Sequence, residues 1–220
     1  MLQINEIFEK DGTLAQVLKG FQPRDGQKEM AVAVEKALKA SGNEITFGKR
    51  NLVVEAETGI GKTLAYLIPA VLSGKKVVVS TATLNLQDQI VYKDVPLVKD
   101  IVGEDLPVVC VKGRENYLCL YRWYQYRSTP HLSIVDTPDL KQIDKWLKKT
   151  SSGDKAELHW LGEKRDLWSK ISAKSNQCLG SNCPEGSECF VTKLRKRAGS
   201  ARLLIVNHHL FFSDLALKKS

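Results

Sequence analysis

The stretch that decides the fold is "VVEAETGIGKTLAYL", residues 53–67. An apolar run, 51–56, leads into a glycine loop, and the loop leads into an apolar segment ended by Gly74. That order predicts a buried strand, a tight turn and a helix. Gly59 and Gly61 let the backbone come close to an anion, and the amides of such a loop can wrap phosphate oxygens. The ammonium of Lys62 can reach the outer phosphates, the hydroxyl of Thr63 can hold Mg2+, and the helix aims its positive end at the anion. Ala56 stands where the common pattern has its first glycine. The loop residues Glu57, Thr58, Gly59, Ile60, Gly61, Lys62, Thr63 and Leu64 are the expected nucleotide-binding set, with Lys62 and Thr63 as its working pair.

Outward from the loop, "KKVVVSTAT" and "LPVVCVKG" read as two further buried strands, with a helical segment, "LNLQDQIVYKDVPLVKDIV", between them. Before the loop, 27–40 has helical spacing and is expected to end at Ser41-Gly42, and 14–20 reads as a shorter helix. Strand–helix alternation of this kind predicts a parallel sheet with right-handed crossovers. Arg24 and Gln27, in "RDGQ", stand upstream, where a glutamine amide can read both donor and acceptor on an adenine edge. "STATLNLQDQ" places hydroxyls and amides at the carboxyl end of a strand, where ligands meet open α/β sheets.

The alternation stops at Arg114 and resumes near "ARLLIVNHHLFF", 201–212, which reads as a returning buried strand. Between them lie rings (Tyr117, Tyr121, Trp123, Tyr124, Tyr126, Trp146, Trp160, Trp168), short amphipathic helices and four of the five cysteines. The middle therefore reads as an insertion into an α/β domain. "CLGSNCPEGSEC" is polar and turn-rich, so its thiols are not expected in a core. Its gaps of four and five residues are wider than the tight pairs usual for zinc and do not match ferredoxin spacing, so spacing leaves the kind of metal centre open. Cys119, where the chain leaves the sheet, is the expected fourth ligand beside Cys178, Cys183 and Cys189. Cys110, flanked by valines, reads as core.

The net charge of +8 is uneven, with Lys193, Arg195, Lys196, Arg197 and Arg202 following the cysteines. Such a basic run suits phosphates, and around Cys119 the residues Arg114, Tyr117, Tyr121, Arg122, Trp123 and Tyr124 interleave cations and rings in a way that suits a nucleic-acid single strand. Some of those rings must instead be core. His208 and His209, read as adjacent strand residues, would point to opposite faces and could not easily share one ion. The opening "MLQINEIFEKDG" has no apolar region of the signal-peptide kind, no run approaches membrane-spanning length, and the expected location is cytoplasmic.

Together, "RDGQ", "AETGIGKT", "VVVSTATLNLQDQ", "KGRENYLC", "CLGSNCPEGSEC" and "LLIVNHHLF" resemble, in order, the N-terminal part of the iron–sulfur DNA helicases of superfamily 2, the XPD/DinG type. The bacterial DinG/YoaA branch looks most similar. The resemblance implies a partial RecA-like P-loop motor domain, an α/β fold with an inserted, mainly helical iron–sulfur domain. By position it implies motor residues at 1–113, the cluster domain at 114–199 and a return strand at 200–220. It implies ATP, Mg2+ and a [4Fe–4S] cluster on Cys119, Cys178, Cys183 and Cys189. It also implies adenine reading by Arg24 and Gln27, strand tracking by 81–83, and 5′-to-3′ unwinding in repair or replication. The implied partners are DNA, mainly single-stranded or forked, with a possible repair or replication protein and no membrane. The family's DEAH box is expected soon after "VNHHLF" but does not occur before Ser220; Asp214 lacks the acidic pair. These residues alone are therefore expected to bind ATP without hydrolysing it efficiently. The alternative is a non-catalytic module binding single-stranded DNA or a partner.

Overall fold

The computed structural model describes residues 2–40, 51–103, 105–129, 137–162 and 165–217. It divides into two compact units, Met1–Cys110 with Ala201–Ser220, and Val111–Ser200.

The first unit is α/β. Its N-terminal helices are α1 (Ile4–Ile7), α2 (Thr13–Val17) and α3 (Asp25–Lys39). The expected α3 stop at Ser41-Gly42 lies outside the described residues. Then come α4 (Lys62–Leu72), strand β1 (Val77–Thr81), α5 (Leu84–Gln89), α6 (Val95–Val102) and strand β2 (Val108–Val111). After the second unit, strand β3 (Leu203–Asn207) and a last helix (His208–Leu217) return to the first. Among the described residues the sheet order is β1-β3-β2, and β1 runs parallel to β3 with Val79 opposite Ile205.

Alternation explains these strands. Val79, Leu203 and Ile205 turn inward to a core shared with Leu67 and Ile68 of α4 and Val98 and Ile101 of α6. Helix α4 is apolar nearly all round and buried along its length, as a helix sandwiched in a small α/β domain must be. Thr83 caps α5 by accepting from the Leu86 amide at 3.2 Å. The long helix expected after it is interrupted by one π-helical turn, Ile90–Asp94.

Two expectations are corrected. Residues 51–56 form no strand: they run exposed, with Val53 91% accessible. A strand is held by its neighbours' amides and carbonyls, and no described strand pairs with this run. The returning strand also ends earlier than its apolar run. The Asn207 Oδ1 accepts from the Leu210 amide at 2.7 Å, so "HHLFF" begins a helix rather than extending β3.

The second unit, with 3₁₀ turns between its helices, is built around α7 (Leu120–Arg127), α8 (Pro138–Leu147), α9 (Arg165–Ile171) and α10 (Phe190–Ser200); the last helix of the first unit, His208–Leu217, is then α11. Its core gathers Leu118, Trp123, Leu140, Ile143, Leu161, Trp168, Ile171 and Phe190. Trp123, 1% exposed, and Tyr117, 2% exposed, are thus core rings, whereas Tyr124 is half exposed. The unit's organising feature is the extended segment 117–119. The Leu118 amide donates to Gly153 O and the Cys119 amide to Ile171 O, each at 2.9 Å, and the Ala173 amide donates to Tyr117 O at 2.8 Å. Beneath it the Lys112 ammonium meets the Asp154 carboxylate at 2.8 Å, both side chains nearly inaccessible. No described helix is long and apolar enough to cross a membrane.

Candidate functional site

In the first unit the glycine loop is drawn in by three side chains. Gly59 and Gly61 have φ of +85° and +86°, the left-handed region that L side chains avoid. Gly61 is the residue before Lys62, where α4 begins. The Gln27 amide, 3% exposed on α3, donates to Gly61 O at 3.0 Å. The Arg24 guanidinium donates to Gly59 O. The Lys62 ammonium donates to Ala56 O at 2.7 Å and Glu57 O at 2.6 Å. The loop's carbonyls thus receive donors from all three side chains. Arg24 and Gln27, expected near an adenine, here brace the loop. Helix α3 packs on α4 and brings them there.

Tyr66 stands one turn along α4 from Thr63. Burial pushes the Tyr66 hydroxyl up from its ordinary value, the Thr63 side chain opposes that, and the Asp94 charge adds to it. Burial likewise raises the Asp94 carboxyl, against the lowering effect of Lys93 and a bond from Gln89. Leu64 is buried in the core, so only its backbone faces the loop. Sequence reasoning missed Tyr66, because nothing in the loop pattern marks the residue one turn into the helix.

Gly61→Ala tests the brace. A Cβ there lies 2.2 Å from Gln27 Nε2, and the backbone is left-handed as well. The expected result is a loss of about 1–3 kcal/mol in stability from strain, with weakened nucleotide binding. Thermal unfolding with and without MgATP measures both; full stability and affinity would contradict the geometry.

At the carboxyl ends of the parallel strands, the Ser80 hydroxyl and His208 Nδ1 are 2.7 Å apart. This link spans 128 positions of sequence and tethers α11 to β1. His208 and His209 sit at a helix start rather than on a strand.

In the second unit, Cys119, Cys178, Cys183 and Cys189 line one cavity of about 540 Å3. Cys119 caps the amino end of α7, held by its amide bond to Ile171 O, and Cys189 immediately precedes α10. Helix amino ends favour thiolates. Cys178 and Cys183 each close a 3₁₀ turn, after Ser175–Gln177 and Gly180–Asn182. Burial pushes the Cys119 thiol up, Cys189 and Cys183 add to that, and backbone bonds near Arg122 and Tyr121 oppose it. The Cys178 thiol is held below its ordinary value by the Gly180 backbone, then by a bond and the charge of Arg114 and the charge of Arg195. Cys110 lies on β2, outside this cavity.

No group of three His, Cys, Asp or Glu among the described residues is placed to hold a single metal ion. Four sulfurs round one zinc ion stand about 3.8 Å apart, from the Zn–S distance in a tetrahedron. These four thiols share the lining of one cavity, and an all-thiolate donor set suits a group several atoms across. Arg122 is committed to structure, donating to Ser172 O at 2.7 Å and Ser169 O at 3.1 Å. Trp168 donates to Glu115 O at 2.7 Å.

The DEAD/DEAH box helicase family model matches residues 36–152. Over 99% of its length the chain is 42% identical to the ATP-dependent DNA helicase YoaA of Haemophilus influenzae, covering 33% of that protein. It is 36% identical to the ATP-dependent helicase DinG of Mycobacterium tuberculosis, over 87% of this chain and 31% of that one. It is 32% identical to a Bacillus subtilis protein named 3′-5′ exonuclease DinG, over 91% of this chain and 21% of that one. The chain thus spans about a third or less of the length of these relatives. With the family model covering more than half of its residues, the chain belongs to the DEAD/DEAH box helicase family.

Proposed function

We propose that the chain is the nucleotide- and cluster-binding part of an ATP-dependent DNA helicase of the DinG/YoaA type, unwinding 5′ to 3′ and acting on single-stranded or forked DNA in cytoplasmic repair or replication. The first unit would be the beginning of a RecA-like motor lobe, to which 200–220 returns as strand β3 and helix α11. Glu57, Thr58, Gly59, Ile60, Gly61 and Leu64 would wrap the triphosphate through their backbone. Lys62 would leave the Ala56 and Glu57 carbonyls for the outer phosphates, and Thr63 would hold Mg2+. Arg24 and Gln27 would turn from the loop to the adenine. The 220 residues by themselves would bind ATP without efficient hydrolysis, since no acidic pair of the DEAH kind stands among them to position water.

The second unit would be the inserted domain. Cys119, Cys178, Cys183 and Cys189 fit a [4Fe–4S] cluster as thiolate ligands, and such a group supplies one-electron chemistry and a rigid cross-link when bound. The observation that carries the reading is the convergence of these four thiols on one cavity in a chain whose other unit presents a braced phosphate loop. Half-exposed Tyr124 and the basic face of α10 are where single-stranded DNA would lie, rings on bases and cations along phosphates.

The test is an iron and acid-labile sulfide assay with a visible spectrum, on protein purified without oxygen, beside Cys183→Ser. About four irons per chain, lost in the variant, is the expected result. About one zinc and no sulfide would reduce the cavity to a structural site and remove the cluster from the proposal.

A further inference from the structure

The four-thiol cavity has a second chemical peculiarity. Its lining includes Arg114, Arg122, Lys174 and Arg195 and, among the described residues, no carboxylate. Arg122 is tied to two backbone carbonyls, so it is fixed in the wall. Among the described residues Lys174 and Arg195 pair with no acid, and Glu188, near in sequence, is taken by Lys193 at 2.5 Å. Arg195 stands six positions after Cys189 on α10, roughly one and two-thirds turns along. That spacing carries its charge along α10 from the ligand at the helix start to the cavity wall.

We propose that Lys174 and Arg195 are positioning residues for the bound group: a cationic rim that holds it electrostatically and sets its reduction potential. This rests on the cluster reading above. Four thiolates round an oxidised [4Fe–4S] core leave two net negative charges, and adding one electron leaves three, with no bond made or broken. Fixed positive charge favours the more negative state, so the rim raises the potential. Exposure of Arg195 keeps the effect modest and dependent on salt.

The experiment compares the unsubstituted protein with Arg195→Gln, Lys174→Gln, their combination and Arg195→Lys, all purified without oxygen. Iron and sulfide are counted first, and the midpoint potential is then read by mediated dithionite titration at two salt concentrations. The double Gln variant is expected to keep about four irons and to need a potential lower by about 59 mV. That is a tenfold change in the oxidised-to-reduced ratio of a one-electron couple. Arg195→Lys should stay near the unsubstituted value, and the differences should shrink as salt rises. Iron lost in Arg195→Gln but kept in Arg195→Lys also supports the rim, because only charge separates the two. A full iron count with unchanged potentials overturns it, as does iron lost equally in both Arg195 variants. An unsubstituted protein without iron and sulfide overturns the cluster reading itself, and is distinguished by the first measurement.

Discussion

Asp154→Ala is expected to lower the stability of the second unit by about 3–5 kcal/mol, the usual consequence of stranding one partner of a buried ion pair. The Lys112 ammonium has 3% of its side chain accessible, and the Asp154 carboxylate 11%. Removing the carboxylate leaves a cation in a low-dielectric interior. It also removes the Oδ1 that accepts from the Ala156 amide at 2.9 Å and opens the 3₁₀ turn Lys155–Glu157. Asp154 faces Tyr117 across the bridge that positions 117–119, so the loss should spread to the Cys119 backbone. The measurement is urea unfolding followed by tryptophan fluorescence, since Trp123 and Trp168 are both buried in this unit. Replacing both partners, Lys112→Met with Asp154→Leu, should recover most of the loss. A loss below about 1 kcal/mol in Asp154→Ala would mean that the ammonium reaches water, as a surface pair does.

Lys62→Ala is expected to weaken nucleotide binding by about 30-fold to more than 1,000-fold. Truncating one member of a desolvated charge pair costs roughly 2–5 kcal/mol, and each 1.4 kcal/mol is a factor of ten. Here the other member is the phosphate. The ammonium also donates to Ala56 O and Glu57 O, so the alanine releases the loop from internal bonds as well. Titration calorimetry or a fluorescent ATP analogue reads the affinity. Binding is the readout, because the residues present are not expected to turn ATP over efficiently. The salt dependence of the residual binding should fall along with affinity, since one cation has gone. An unchanged Kd would remove Lys62 from the phosphate site.

The elements that the sequence made legible share one property: their pattern is satisfied inside the described chain. "KKVVVSTAT", "LPVVCVKG" and "LLIVN" are β-branched runs with neighbours to pair with, and they became β1, β2 and β3. Helices α3 and α4 show helical spacing on faces that bury against each other and the sheet. "NLVV" has the same composition as those strands and failed as one, because strand formation depends on a partner edge as well as on residue type. "HHLFF" misled in the opposite way. Its apolar run suggested more strand, but Asn207 at the strand end supplies a helix cap, and a cap is decided by where the chain turns.

The candidate sites divide on similar lines. Phosphate loops need their glycines, lysine and threonine contiguous, so the residue types of 57–64 are readable in one dimension. The cysteine trio is readable for the same reason. What those groups touch was decided in three dimensions. Gln27 and Arg24 hold the loop's carbonyls because α3 lies against α4. The Lys112–Asp154 pair and the Ser80–His208 link join residues far apart in sequence, which no spacing rule anticipates. The rings round Cys119 look alike on paper, yet Trp123 is core and Tyr124 faces water because successive positions on a helix are turned about 100° from each other. By itself the sequence determined the α/β chemistry of this protein: which runs want burial, where an anion can approach a backbone, and which thiols stand in turns. Tertiary structure alone decided which edges find partners, which charges are buried together, and which cations surround the thiols. Those depend on desolvation and distance between segments that the linear order does not bring together.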